Sequence, residues 1–195
     1  AMAELLTARA TNTLPAAISN PEDGAKRTKS IWNKYLDTVE EYNEPGKFTA
    51  FMGFEYTLMQ GGNNLHRNVV FRDGKDRVKL VVPIDPSQEL TPERLWDYMD
   101  AYEQTTGGKV LAIPHNSNLS NGLMFMMTET GGAPMSAAYA RRRAAREPVV
   151  EITQIKGDSE AHPFLSPNDE FAGYGVTGWD LSNLMMTEAK TPDMF

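Results

Sequence analysis

The sequence predicts an α/β protein with a mostly parallel sheet and one β-hairpin. Candidate strands and helices alternate along much of the chain, which is the pattern of units whose helices cover a parallel sheet. Two of the candidate strands are short and nearly unbroken apolar runs, as strands buried on both faces are. The 41% of apolar residues, together with 15 glycines, is also typical of a chain that folds around a core.

The N-terminal part of the chain divides at about residue 20. Residues 1–20 are rich in alanine and threonine without a sustained period, and we expect a loosely ordered lead-in whose first alanine remains from a cleaved tag. Residues 21–195 are expected to form a single α/β domain. Its first helix begins after Asn20, a favourable N-cap, and should end near Tyr42 because a Pro-Gly pair follows shortly after.

The next part of the chain predicts a strand and then a hairpin. Residues 48–56 (FTAFMGFEY) are a short aromatic-rich run that suits a buried strand. Residues 68–72 and 77–82 flank Asp73-Gly74, a dipeptide typical of hairpin turns.

The second half predicts a helix, a strand, a helix and a strand. Thr91 and Pro92 form a favourable helix start, and Gly107 is a favourable helix end. The elements that follow are a buried strand at 109–113, an Ala/Arg-rich helix at 136–146 and a strand at 149–154.

Composition excludes several classes of function. The net charge of −7 argues against a nucleic-acid partner, and no apolar run is long enough to span a membrane, so we expect neither. The lack of cysteine excludes disulfides, thiol catalysis and Cys-type zinc sites. Imidazole chemistry is limited to His66, His115 and His162.

All three histidines lie at predicted strand ends or in loops beside them, and Glu55 ends the first strand. In a parallel sheet such positions converge on one rim. Imidazole nitrogens and a carboxylate oxygen together suit Zn, Mn or Fe. The sequence therefore predicts a divalent-metal site at this rim, with nearby hydrogen-bonding groups from Asn64, Asn116 and Asn118.

These residues also have a purely structural interpretation. A single histidine at a strand end is more often hydrogen-bonded than bound to a metal. A carboxylate after the apolar run 48–54 is costly to bury unless it is paired or bound to a cation. A salt bridge from Glu55 to Arg67 or Arg72 is therefore the alternative to a metal role.

Four segments together resemble a bacterial domain-of-unknown-function family, the one numbered thirty-six-oh-four. They are residues 53–56 (GFEY), 64–69 (NLHRNV), 114–118 (PHNSN) and 151–160 (EITQIKGDSE). That family in turn resembles the PHP (polymerase and histidinol phosphatase) superfamily of metal-dependent phosphoesterases. The resemblance implies a distorted β/α barrel, of which this chain would form a part.

The resemblance also implies roles for individual residues. Glu55, His66 and His115 match metal-ligand positions in the right order, for a divalent transition metal such as Zn, Mn or Fe. A small-molecule phosphate or other ester is the implied substrate. The residues expected to contact or orient it are Asn64, Arg67, Asn116, Asn118 and His162.

Two motifs of related chains, a His-x-His strand and a late Asp-x-His, do not occur in this sequence. We therefore expect the chain to be an internal part of a larger barrel, with only part of a metal site. Alone it should bind metal weakly and catalyse poorly or not at all, because both affinity and the activated water depend on a full ligand set. A partial barrel also exposes strand edges and apolar surface, so self-association is expected.

Three functions are consistent with these residues. The first is part of a metal-dependent hydrolase of phosphoesterase type. The alternative is a non-catalytic ligand-binding or assembly module without metal. A third is an acid/base enzyme that uses His115 with Glu151 or Glu160, for which the side chains would have to lie within hydrogen-bond reach of the substrate's proton.

Overall fold

The structure, a computed structural model, describes residues 21–84 and 90–174. Three long helices and a three-stranded antiparallel sheet form the main body of these residues. The predictions for residues 1–20 lie outside the described residues, and the single domain over 21–195 stays a prediction.

The three predicted helices are confirmed. They are α1 (Pro21–Tyr42), α3 (Pro92–Thr106) and α4 (Ala137–Arg146). The Thr91 hydroxyl accepts a hydrogen bond from the backbone N–H of Arg94 at 3.2 Å, and Gly107 ends α3 in the left-handed conformation with φ 66°. The caps that were readable in the sequence therefore set the bounds of α3.

The central sheet consists of β1 (Met52–Tyr56), β4 (Arg67–Phe71) and β5 (Val110–Pro114), in the order β1-β4-β5. Both pairings are antiparallel. The register aligns Tyr56 with Arg67 and Arg67 with Pro114. As a result, the C-terminal ends of β1 and β5 lie beside the N-terminal end of β4.

One face of the sheet carries the core. Side chains alternate between the two faces of a strand, so every second residue of each strand joins the buried face. Phe71 of β4 and Ala112 of β5 are fully buried there, together with the apolar side of α3. Trp32 of α1 adds a ring 6.1 Å from Phe54 and 6.5 Å from Phe71. The opposite face carries Glu55, Asn68 and Ile113, which are aligned with one another across the three strands.

The predicted parallel sheet and partial β/α barrel are wrong for the described residues, in which every strand pairing is antiparallel and the sheets are small. The reason is the connection after β1. A short hairpin of β2 (Met59–Gln60) and β3 (Asn63–Asn64) returns the chain directly to β4. A parallel neighbour would require a crossover of a dozen or more residues, usually a helix.

The hairpin predicted at Asp73-Gly74 is also wrong. A short helix, α2 (Lys75–Val78), follows Gly74 in place of a second strand. The Asp73 carboxylate accepts hydrogen bonds from the Lys109 backbone N–H at 2.6 Å and from the Tyr102 hydroxyl at 3.0 Å. Asp73 therefore joins β4 to α3 and β5 and does not form a β-turn between two strands.

The predicted strand at 149–154 is much shorter than expected. Only β6 (Thr153–Gln154) is extended and paired, and its partner is β7 (Gly157–Asp158). The strand predicted at 48–56 likewise begins only at Met52, and Phe48 and Phe51 are exposed. None of the described helices is long and apolar enough to cross a membrane.

Candidate metal centre

Three residues from different parts of the chain meet where β1, β4 and β5 have their aligned ends, on the face of the sheet that does not carry the core. Glu55 lies on β1, His66 directly precedes β4, and His115 directly follows β5. Glu55 pairs with Asn68 and Asn68 with Ile113, which places these three residues on the same face. His66 and His115 lie two residues from Asn68 and Ile113, so the same alternation directs them to the face of Glu55. The predicted convergence occurs, although through antiparallel strands.

One carboxylate oxygen is the centre of the cluster. Glu55 Oε1 lies 3.0 Å from His115 Nε2 and 3.2 Å from His66 Nδ1. One ligand atom from each residue lies within 4.8 Å of the other two, and the two imidazole rings are 5.7 Å apart at 68°. A backbone hydrogen bond from His115 N–H to the His66 carbonyl, 3.2 Å, holds the two histidines side by side.

These distances fit a bound cation. Ligand atoms about 2.0–2.2 Å from a metal, at tetrahedral or octahedral angles, lie about 2.8–3.6 Å from each other. Both distances from Glu55 Oε1 fall in this interval. They are also hydrogen-bond distances, so the geometry suits either a metal or two N–H donors.

The cluster is open on the carboxylate side. The His66 and His115 side chains are 12% and 9% exposed, whereas that of Glu55 is 46% exposed. Because almost half of the Glu55 side chain is exposed, the cost of burying its charge does not by itself require a partner or a cation. A ligand can approach through the carboxylate, while the imidazole rings are held by protein.

The charges at the cluster are set by burial and by the mutual contacts. Burial alone would raise the pKa of Glu55, but a hydrogen bond from the Thr57 hydroxyl and the nearby histidines lower it below its ordinary value. Burial lowers the pKa of His66, against an opposing contribution from Glu55. At neutral pH Glu55 is thus ionised and His66 neutral, which are the forms that ligate metals.

Each histidine also has a buried second nitrogen. His66 Nε2 and His115 Nδ1 have no hydrogen-bond partner within the described part of the chain. Histidines that ligate metals usually donate this second N–H to a carboxylate, a carbonyl or a water. The two ring nitrogens therefore mark where such an acceptor would belong.

Neither arginine proposed as an alternative partner contacts Glu55 among the described interactions. The Arg67 guanidinium is fully buried and donates to Glu147 Oε1 at 3.0 Å, an oxygen that also accepts from Trp96 Nε1 at 2.9 Å. Arg67 therefore forms a buried ion pair on the opposite face of β4 from the cluster, and its role in binding substrate stays a prediction.

The predicted asparagines surround the histidines. The buried Asn64 accepts the His66 backbone N–H on its side-chain oxygen at 2.9 Å. Asn116, also buried, has the left-handed φ of 55° and donates its backbone N–H to Glu151 at 2.9 Å. Asn118 donates its side-chain N–H to the Lys156 carbonyl at 2.9 Å. Asn64 and Asn116 thus position the chain on either side of the histidines.

His162 does not belong to the three-residue cluster. It lines a cavity of about 230 Å³. Ser117 and Asn118, two and three residues after His115, line the same cavity, which therefore lies near the cluster. Its wall combines apolar side chains such as Met124 and Leu165 with polar groups. Two of the predicted substrate-binding residues, Asn118 and His162, therefore share one cavity.

Thr57 is a residue that sequence reasoning missed. Its hydroxyl donates to Glu55 Oε2 at 3.1 Å. It follows Glu55 by two residues, just after the end of β1, and no motif in the sequence marks it. Glu151, proposed as a partner of His115, instead accepts hydrogen bonds from Asn116 and from Gln154.

One family is shown by comparison with known sequences. A family model described as "Protein of unknown function (DUF3604)" matches residues 1–195. No curated protein and no solved structure matches the chain. The chain therefore belongs to the DUF3604 family.

Proposed function

We propose that Glu55, His66 and His115 bind a divalent transition metal ion, Zn, Mn or Fe, in a protein that acts as a metal-dependent hydrolase. The observation that carries the proposal is the placement of one ionised carboxylate oxygen within 3.0 and 3.2 Å of two imidazole nitrogens on an open face. Carboxylate and imidazole are the mixed ligands of such metals. Three protein ligands leave further coordination positions for water and substrate.

The residues of this chain prepare the site in distinct ways. Thr57 holds one oxygen of Glu55 by a hydrogen bond, which leaves the other oxygen toward the histidines. Asn64 fixes the backbone of His66. When bound, the metal supplies an electrophile and an acidified water, as hydrolysis of an ester or phosphate requires.

The adjoining cavity supports a small-molecule substrate. Asn118 and His162 line it, and its volume of about 230 Å³ admits a compact organic group. Pockets with an apolar wall and a few polar groups are typical of small-molecule sites. We infer that this cavity receives the part of the substrate that does not react.

A non-catalytic binding module without metal is the second candidate. The observation that favours it is that the distances at Glu55 equal those of ordinary hydrogen bonds. In that case both histidines donate to the carboxylate and no cation is required.

Metal content separates the two candidates. The chain is brought to equilibrium by dialysis against rising concentrations of Zn²⁺, Mn²⁺ or Fe²⁺, so that weak binding is also detected, and the bound metal is measured by mass spectrometry. We expect about one bound ion per chain at saturation and a loss of at least tenfold in affinity for Glu55→Gln, because loss of a direct ligand exceeds the 10–100-fold cost of a lost supporting partner.

The matched control is His162→Asn, which removes the histidine outside the cluster and should leave the metal content unchanged. Metal that persists in Glu55→Gln at the wild-type level, or a wild-type chain that binds none, would contradict the proposal.

A further inference from the structure

The β6–β7 hairpin is joined to the loop that follows His115. Asn118 donates its side-chain N–H to the Lys156 carbonyl at 2.9 Å, and its backbone N–H to the Ser159 hydroxyl at 3.3 Å. Glu151, just before β6, accepts the backbone N–H of Asn116. These contacts fix the turn of the hairpin next to the candidate metal centre.

Lys156 lies at this turn and reaches back along the loop. Its amino group donates to the side-chain oxygen of Asn116 at 3.3 Å, and Asn116 is the residue directly after His115. Lys156 is therefore a cation beside the cluster.

In the part of the chain that the structure describes, no carboxylate neutralises the charge of Lys156. Lys75 and Lys109 each form an ion pair, with Asp37 and Glu103, whereas no carboxylate of the described residues forms an ion pair with Lys156. Its side chain is half-buried and its polar contact is a neutral amide oxygen. Such an ammonium group can donate a charge-assisted hydrogen bond to an anionic ligand.

We propose that Lys156 binds an anionic oxygen of the substrate at the Glu55–His66–His115 centre, and so selects a substrate with a phosphate or carboxylate group over a neutral ester. The inference rests on the proposed metal function. With one ligating carboxylate, a bound divalent ion and Lys156 would give the site a net positive charge, which favours an anionic oxygen over a neutral one. Asn116 is then a positioning residue that orients the lysine.

Binding of simple anions tests the role of Lys156. Inorganic phosphate and acetate are titrated by calorimetry into the metal-loaded chain and into its Lys156→Met and Lys156→Arg variants. We expect Lys156→Met to weaken phosphate binding roughly tenfold or more, as for a lost charge-assisted hydrogen bond. Lys156→Arg should retain most of the affinity, because it keeps the charge.

Lys109→Met is the control. Lys109 precedes β5 at the end opposite to His115, so its loss should leave anion binding unchanged. A thermal melt of each variant reports folding, and Lys156→Gln replaces Lys156→Met if the latter does not fold. A lysine that only secures the hairpin would alter the melt without a selective loss of anion affinity.

The outcomes are distinguishable. Loss of phosphate binding alone identifies a phosphate group, and an equal loss for acetate identifies a general oxyanion site; both support the inference. A wild-type chain without metal overturns the metal function, whereas a metal-loaded Lys156→Met variant with wild-type affinity for both anions overturns only the role of Lys156.

Discussion

His66 and His115 present one ring nitrogen each to the same oxygen of Glu55, so a single carboxylate determines the geometry of the cluster. The three residues could be identified in the sequence because the chain has three histidines in all and Glu55 ends a predicted strand. The distances were not readable, since they depend on the register of β1, β4 and β5. Thr57, which acts through Glu55, was missed because a lone threonine carries no motif.

A second group at the residue scale is the buried pair of Arg67 and Glu147. Both side chains are essentially inaccessible, at 0% and 1% exposure. We expect Glu147→Gln to lower the free energy of unfolding by about 3–5 kcal/mol, because it leaves the guanidinium charge buried without a counter-charge. The glutamine oxygen can still accept from Trp96, so the variant isolates the charge.

Urea unfolding followed by tryptophan fluorescence measures this loss. The double variant Arg67→Met with Glu147→Leu removes both charges and should lose less stability than Glu147→Gln alone. If Glu147→Gln is as stable as the wild type, the pair contributes no net electrostatic stability.

At the scale of elements, α3 and α4 are joined by an ion-pair network. Arg142 contacts Asp97 at 2.5 Å and Asp100 at 2.6 Å, and Arg146 contacts Asp100 and, at 3.0 Å, Glu103. Burial would raise the pKa of Asp100 and of Glu103, but the arginines lower both below their ordinary values of 3.8 and 4.5. The ionised carboxylates therefore stabilise the packing of the two helices.

This network predicts a loss of stability in acid. Because the folded pKa values are depressed, the stabilisation is present above pH 4.5 and is lost as the pH falls through the folded values. We expect about 1–2 kcal/mol in total, since partly exposed pairs contribute up to about 1 kcal/mol each. Urea unfolding at a series of pH values measures the dependence.

The Arg146→Gln variant provides the comparison. It should be less stable than the wild type at neutral pH and approach it in acid, where the carboxylates are protonated in both. A constant difference between the two proteins at every pH would show that Arg146 acts by packing and not by charge.

The helices were predictable and the sheet was not, for physical reasons. Helix ends depend on local groups, such as Thr91 and Gly107 for α3, which are visible in the sequence. Strand direction depends on how distant segments pair, and apolar runs carry no sign of it. The sequence did carry one signal for a hairpin, the Gly61-Gly62 pair after β1. Hairpin turns need positive φ, which glycine adopts easily, and both glycines have positive φ in the structure.

At the scale of the whole molecule, the described surface carries many exposed apolar groups. Ile155 is 89% and Phe171 69% exposed. In the part of the chain that the structure describes, β1 and β5 each have a strand on one side only. Unpaired edges and exposed apolar side chains favour association between molecules.

We therefore expect the chain to self-associate in a concentration-dependent way. Sedimentation velocity should show the average mass rise with protein concentration, and Phe171→Ser should reduce the rise because it removes an exposed apolar ring. A single monomeric species over the whole range of concentrations would contradict this prediction.

The antiparallel course of β1 and β4 has a consequence for how the cluster is assembled. Glu55 and His66 lie on the two arms of one local hairpin, so a short closure of the backbone brings them together. His115 joins them only when β5 adds to the sheet, and a two-stranded hairpin alone is marginally stable in water. The third strand and the third side chain of the cluster thus arrive together, and any loss of β5 from the sheet would separate His115 from Glu55 and His66.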